Sequence, residues 1–125
     1  MKNKIVKTYT DLSQSKKLAE ILPLGSADLD YIPVVNLEGE YSLIFNVWNN
    51  EHEDSWIPCW SLAALLEVLP DEMGDNHYLT LDKEGKEYCC CYEDCNGNSF
   101  RYCFSDNPVD ACYEMIIRLH EENLI

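Results

Sequence analysis

The chain has 125 residues, of which 46% are hydrophobic and 26% are charged, and this composition indicates one folded domain and excludes global disorder. Its formal net charge is −14 at pH 7, and the charge is divided unevenly, because residues 1–17 carry +4 and the remaining residues carry −18. A body this acidic repels phosphate backbones, so we expect no direct nucleic-acid binding. The charge either serves solubility alone, or attracts a basic protein partner, or imitates a nucleic acid.

The sequence has no apolar run that approaches the ~20 residues of a membrane span. The basic start of the chain is followed by Lys7, Tyr9 and Asp11 rather than by the apolar segment of a secretion signal. We therefore expect a cytoplasmic protein that does not contact a membrane.

The N-terminal third predicts a helix and a β-hairpin. Residues 1–9 form either a basic tail or an edge strand. Asp11 and Gln14 are spaced as a capping box, which begins a helix that ends before Pro23. Two segments rich in β-branched and aromatic residues then flank a turn, and they predict a hairpin. These segments are residues 31–35 and 41–48, with the turn at residues 36–39.

The longest apolar stretch predicts a central helix that Pro58 opens and Pro70 closes. Its leucines share one face, which suits packing against a sheet. Trp56 and Trp60 lie at its start, and helical spacing places Trp60 away from the leucines. Two interpretations stay open, because the indoles either cap the core or are exposed and bind a partner.

The C-terminal half predicts a three-stranded antiparallel meander at residues 77–81, 87–92 and 99–104. In its last strand the aromatic side chains of Phe100, Tyr102 and Phe104 alternate with polar ones and so share a face. Either Asp106 or Asn107 caps a final helix. The predicted fold class is α+β, with an antiparallel sheet of about four to five strands packed by three helices, mainly on one face.

Two segments carry a resemblance to a known family. The first is Ile57-Pro58-Cys59-Trp60-Ser61-Leu62 with Ala64-Leu65-Leu66-Glu67 and Pro70, and the second is Pro108-Val109-Asp110-Ala111 followed by Glu114. In these segments the chain resembles small proteins of gut Bacteroidetes and of their phages and mobile elements. The resemblance covers residues 10–125 in the order of elements. It implies no activity and no catalytic residues, because none is known for such proteins.

The seven cysteines are an odd number, and in the reducing cytosol we expect no disulfides among them. Cys89 and Cys91 would share a strand face, with Cys103 beside them and Cys95 in the following turn, so these four thiols are candidate metal ligands. Zinc sites usually offer paired knuckles, and only one loose knuckle is present. The alternative is that they are small buried hydrophobic residues, and no cofactor is predicted.

Cys59 is the candidate nucleophile, because a thiol at a helix start can have a lowered pKa. No histidine has a recognisable spacing to it, and the acidic charge of the chain opposes a thiolate. Glu51, Glu53 and Asp54 form an acidic loop that matches no calcium-binding template. This loop is either solvated or part of a partner-binding surface together with Trp56 and Trp60.

Three functions follow from these observations. The first is a small, acidic, non-enzymatic interaction protein that binds a basic protein partner, in a phage or mobile-element setting. The second is a nucleic-acid mimic that inhibits a DNA-binding protein. The third is a small metal-binding or thiol-dependent enzyme that uses Cys59 or the cluster from Cys89 to Cys103.

Overall fold

The computed structural model describes residues 6–45 and 53–125, and within them the fold class is α+β, as predicted. Its helices are α1 (Leu12–Ala19), α2 (Leu62–Val68) and α3 (Pro108–Glu121), and a 3₁₀ turn (Leu24–Ser26) follows α1. Its strands are β1 (Leu29–Pro33), β2 (Tyr41–Phe45), β3 (Ile57–Cys59), β4 (Glu72–Met73), β5 (His77–Glu84), β6 (Glu87–Glu93) and β7 (Ser99–Ser105). The strands form two antiparallel sheets rather than one.

The first sheet has the order β2-β1-β3 and contains the predicted hairpin. The prediction that Pro58 opens a helix is wrong, because residues 57–59 form β3 and pair with β1 from Tyr31 opposite Ile57 to Leu29 opposite Cys59. Helix α2 begins only after Ser61, whose hydroxyl accepts a hydrogen bond from the backbone N of Ala64 at 3.2 Å. The fixed φ of proline fits an extended strand as well as it fits a first helical turn, and the pairing with β1 decides between them.

Trp60 forms the corner between β3 and α2, and its side chain is fully buried. Its indole N–H donates to the hydroxyl of Ser26 at 3.0 Å. Ser61, the residue after Trp60, is bound by Asp28. The Asp28 carboxylate accepts hydrogen bonds from the backbone N of Ser61 at 2.9 Å and from the Ser61 hydroxyl. The corner is therefore tied to the 3₁₀ turn and to the start of β1.

The N-terminal segment runs along the same corner. The backbone N of Thr10 donates to the carbonyl of Trp60 at 2.9 Å, and the backbone N of Leu62 donates to the carbonyl of Thr8 at 3.0 Å. These hydrogen bonds form an isolated antiparallel bridge between Tyr9 and Ser61, and no strand is assigned to residues 6–10. Residues 1–5 lie outside the described part of the chain, so the choice between a tail and an edge strand stays a prediction.

The second sheet has the order β4-β5-β6-β7, so the predicted meander is confirmed and is extended by the short β4. One side-chain prediction in it is wrong. Arg101 pairs with Tyr92 and Ser99 pairs with Glu93, which leaves Phe100 as the extra residue of a β-bulge. The bulge turns Phe100 towards the core, so this ring does not share a face with Tyr102.

Helix α3 supplies much of the core and packs against β6 and β7. Asn107 rather than Asp106 is its cap, because the Asn107 side chain accepts from the backbone N of Asp110 at 2.8 Å. Pro108 occupies the first helical turn, where a missing N–H leaves no hydrogen bond unmade. Helix α2 packs beside α3, so the helices lie mainly on one face of the second sheet.

Asp110 links α3 to the N-terminal segment. Its carboxylate accepts from the Lys7 ammonium at 2.8 Å and from the Gln14 side-chain amide at 2.7 Å. Partial burial raises the pKa of the Asp110 carboxyl, but the hydrogen bonds from Lys7, Gln14 and Asn107 outweigh it and leave that pKa below its ordinary value.

Replacing the cap tests the assignment of the α3 start. We expect Asn107→Ala to lower the free energy of unfolding by about 1 kcal/mol, because one first-turn N–H loses its acceptor. Asp106→Ala is the matched control and should have a smaller effect. Urea denaturation measures both, and an equal or larger loss in the Asp106 variant would show that the cap is misassigned.

Removing the Asp110 charge tests the link to Lys7. A carboxyl whose folded-state pKa is lowered contributes stability above its unfolded pKa of about 3.9, and that stability is lost as the pH falls through the folded pKa. Asp110→Asn should therefore destabilise the protein by roughly 1–2 kcal/mol at pH 7, with the difference from the parent vanishing towards pH 2. Urea denaturation across this range measures it, and Asp54→Asn removes an exposed charge as the control. A difference that stays constant with pH contradicts the expected link.

Candidate functional site

Cys59 is not at a helix start but in β3, where its side chain is fully buried. Its thiol donates to the carbonyl of Thr10 at 3.4 Å and lies 3.6 Å from the Thr10 hydroxyl. Burial raises the pKa of the Cys59 thiol, and the hydrogen bonds from Thr10, Ser15 and Tyr31 do not offset it. The interpretation of Cys59 as an activated nucleophile is therefore wrong, because the site favours the neutral thiol and gives no access to a substrate.

The four candidate thiol ligands do not converge. Cys89 and Cys91 share one face of β6, as predicted, but Cys103 pairs with Cys90 and lies on the opposite face, towards the core. Cys95 is exposed in the turn after β6. Within residues 6–45 and 53–125, no group of three or more His, Cys, Asp and Glu side chains is placed to hold a metal ion.

Only some of the predicted partner-binding residues before α2 lie at the surface. Trp60 is fully buried, so its interpretation as an exposed binding residue is wrong and its role is to fill the core. Trp56 is half-buried, and Glu53 and Asp54 are exposed. Glu51 lies outside the described residues, and binding by this loop stays a prediction.

A different surface is left uncovered on the second sheet. We call it the outer face, which is the face opposite to α3. Strand alternation defines it, because Leu79 and Leu81 of β5 and Cys90 and Tyr92 of β6 point to the core. The outer face consists of the side chains of Tyr78, Thr80, Asp82, Glu84, Glu87, Cys89, Cys91, Glu93, Ser99, Tyr102 and Phe104.

Three large aromatic side chains on the outer face are exposed to about half of their surface. The exposed fractions are 50% for Tyr78, 55% for Tyr102 and 48% for Phe104. The rings of Tyr102 and Phe104 meet edge to face, with centroids 5.7 Å apart. Single exposed apolar residues are ordinary, whereas here two rings are in contact and a third lies on the same sheet face.

The central strand of this face carries small side chains. Cys89 and Cys91 are buried between the larger residues of β5 and β7. The Cys91 thiol donates to a carboxylate oxygen of Glu93 at 3.0 Å and lies 2.9 Å from the Thr80 hydroxyl. Burial raises the pKa of Cys91 to about 12, with the Thr80 hydrogen bond opposing and Glu93 adding to the rise. The middle of the outer face, which we call its floor, therefore consists of the small, uncharged side chains of Cys89 and Cys91. Larger aromatic and polar side chains of β5 and β7 lie on both sides of it.

The ionisable side chains around this floor are all acidic. The outer-face positions of β5, β6 and β7 hold the carboxylates of Asp82, Glu84, Glu87 and Glu93 and neither a lysine nor an arginine. Burial raises the pKa of the Cys89 thiol, and a hydrogen bond with Cys91 opposes this rise. The negative charges of Glu84, Asp82 and Glu93 add to it. The outer face thus combines exposed aromatic rings with an excess of negative charge on its strands.

The cations near the outer face are Lys86, which is exposed in the turn between Glu84 and Glu87, and two residues that make contacts away from the face. Lys83 lies over the ring of Tyr88, on the other face of the sheet, with its ammonium 5.5 Å from the ring centroid. Arg118 of α3 reaches the edge of the sheet, where it donates to the carbonyl of Tyr102 at 3.1 Å. This contact occupies one backbone acceptor of the edge strand β7, where unpaired backbone groups can otherwise pair with another chain.

Comparisons with protein-family models, with curated proteins and with solved structures found no match for this chain. In the described ranges, no helix has both the length and the apolar character that crossing a membrane requires. Function must therefore be inferred from the geometry of the outer face.

Sequence reasoning missed the outer face because it grouped Phe100, Tyr102 and Phe104 on one face of the last strand and did not determine which face of the sheet the helices cover. The signal that could have revealed it is the alternation in β6, where Tyr88, Cys90 and Tyr92 occupy one side and two cysteines the other. The side with the two tyrosines is the more apolar and therefore the one expected to face the core. The cross-strand neighbours of Cys89 and Cys91 must then face outwards.

The accessibility of the thiols is directly testable. We expect iodoacetamide at neutral pH to label Cys95 first in the folded protein, because this thiol is exposed, and to label Cys59 only after unfolding. Peptide mapping by mass spectrometry with and without denaturant measures the order. Labelling of Cys59 at the rate of Cys95 in the folded protein would contradict its buried, neutral state.

Proposed function

We propose that this protein is a cytoplasmic, non-enzymatic interaction protein that binds a basic protein partner on the outer face of its second sheet. One observation carries the proposal: three half-exposed aromatic rings lie on a sheet face whose strand positions hold four carboxylates and neither a lysine nor an arginine. Aromatic side chains are enriched at the energetic centres of protein interfaces. The carboxylates add the charge preference, because they attract basic surfaces and repel acidic ones.

The size of the patch predicts the strength of the association. A large aromatic side chain buries roughly 150–250 Å², so covering the exposed halves of three rings removes on the order of 300 Å² from water. This is less than the roughly 800 Å² per partner of a stable interface. Contact limited to the outer face would therefore be transient, and its electrostatic part would weaken as salt screens the carboxylates.

The same geometry bears on the alternatives. A nucleic-acid mimic needs carboxylates in a continuous row. On the outer face Asp82, Glu84 and Glu87 are neighbours, but Cys89 and Cys91 separate them from Glu93, and this interruption supports a protein ligand. A thiol enzyme needs a reactive cysteine, and the Cys59 and Cys91 thiols are buried with raised pKa values. The phage or mobile-element setting is supported by the sequence resemblance alone.

Paired substitutions test the proposal. Immobilised protein is incubated with lysate of its host at low and at high salt, and the retained proteins are identified by mass spectrometry. We expect a basic protein that is retained at low salt, released at high salt, and lost with Tyr102→Ser/Phe104→Ser. The loss follows because both rings are half exposed and would contact the partner.

Two matched controls distinguish binding at the outer face from non-specific binding to other parts of the protein surface. Val35→Ser/Leu37→Ser removes two exposed apolar side chains away from this face. Glu38→Gln/Glu40→Gln likewise removes two exposed charges from the loop between β1 and β2. It is compared with Asp82→Asn/Glu93→Gln, which removes two charges from the outer face. Retention that responds equally to the control and outer-face variants would overturn the proposal.

A further inference from the structure

We infer that the outer face recognises an arginine-bearing segment of the partner, bound in an extended conformation along β6. The inference rests on the proposed function and adds to it the chemistry of the ligand. An arginine side chain satisfies both components of the face at once, because its guanidinium stacks on aromatic rings and pairs with carboxylates.

The protein contains this combination within its own structure. On the opposite side of the second sheet, the guanidinium carbon of Arg101 lies 4.4 Å from the ring centroid of Phe100. The same guanidinium donates two hydrogen bonds to the carboxylate of Glu122, at 2.8 and 2.9 Å. There the cation is internal, whereas the aromatic and acidic groups of the outer face have none.

The register of the sheet places aromatic and acidic groups towards both ends of the outer face. At one end Tyr78 pairs with Glu93 across β5 and β6. Towards the other end Asp82, Cys89 and Phe104 form one cross-strand row, and the pair of Glu84 and Glu87 lies beyond it. The first end therefore holds one ring and one carboxylate, and the second holds one ring and three carboxylates.

These two ends are separated by the distance that an extended peptide spans in four residues. Glu93 and Cys89 are four positions apart on β6, which at ~3.3 Å per residue is about 13 Å. In an extended ligand parallel or antiparallel to β6, two arginines separated by three small residues would reach both ends together. The intervening side chain would lie over Cys91, where the floor is small and buried.

Lysine is the less suitable cation for this surface. Its ammonium is a compact, strongly hydrated charge, whereas guanidinium is planar, more weakly hydrated and able to stack on a ring while it donates to a carboxylate. A purely electrostatic surface would treat the two residues alike. The half-exposed rings of Tyr78, Tyr102 and Phe104 are what distinguish this surface.

The experiment compares three short peptides that differ only at the two basic positions, which are separated by three small neutral residues. The positions hold arginine, lysine or glutamine, and binding to the full-length protein is measured by fluorescence anisotropy at low salt. We expect the arginine peptide to bind about tenfold more tightly than the lysine peptide, and the glutamine peptide not to bind. Tyr78→Ser/Phe104→Ser should abolish the difference between arginine and lysine, because these two rings lie where the arginine side chains would bind.

Further variants keep the result interpretable. Glu93→Gln and Asp82→Asn should each weaken binding of both basic peptides, while Val35→Ser/Leu37→Ser should leave it unchanged. Far-UV circular dichroism and a urea midpoint establish that every variant is folded. The single variants Tyr78→Ser and Phe104→Ser replace the double variant if it is not folded, and each should then reduce the difference between the arginine and lysine peptides.

The outcomes separate this inference from the proposed function. Equal affinities for the arginine and lysine peptides, lost together in the outer-face variants, would overturn the preference for arginine and leave a basic partner in place. Absence of binding, or binding that the outer-face variants do not change, would overturn the arginine-bearing segment as the ligand. The proposed function itself fails only if capture of the whole partner protein is insensitive to the same variants.

Discussion

The structure depends on the packing of α3 against one face of the second sheet. Its buried residues contact β6 and β7 and contribute a large share of the core. Once this face is buried, strand alternation sends every second side chain of β5, β6 and β7 to the other side. Because α2 packs beside α3, none of the described helices is left to cover that other side. The open outer face is thus a consequence of how the core is built.

A second constraint joins the first sheet to the helices. Trp60 lies between β3 and α2, and its contacts reach the N-terminal segment through Thr10 and the 3₁₀ turn through Ser26. The hydroxyls of Thr10 and Ser15 lie 2.7 Å apart, and the Tyr31 hydroxyl donates to the Thr10 carbonyl at 2.7 Å. This corner is buried and internally hydrogen-bonded, which explains why a conspicuous Trp and Cys segment is structural.

Local patterns predicted the elements whose signals are contiguous in sequence. The capping box of Asp11 and Gln14 forms as expected, with hydrogen bonds of 2.8 and 3.1 Å, and the hairpin and meander follow their turn residues. β3 was missed because it exists only through pairing with β1, more than twenty residues earlier. The burial of Trp60 was equally unreadable, since it depends on Ser26 and on the packing of α1. The bulge at Phe100 has no local signature, yet it decides which aromatic residues reach the outer face.

The negative charge of the outer face is related to the fact that no described helix covers this face. An uncovered sheet face with exposed aromatic rings invites association with a second copy, and its β7 edge invites strand pairing. Arg118 occupies a backbone acceptor at that edge, and the carboxylates of Asp82, Glu84, Glu87 and Glu93 make two such faces repel each other. The same charges lower the free energy of a complex with a cationic surface. Negative charge on this face therefore acts in two directions, since it opposes self-association and selects the sign of the partner.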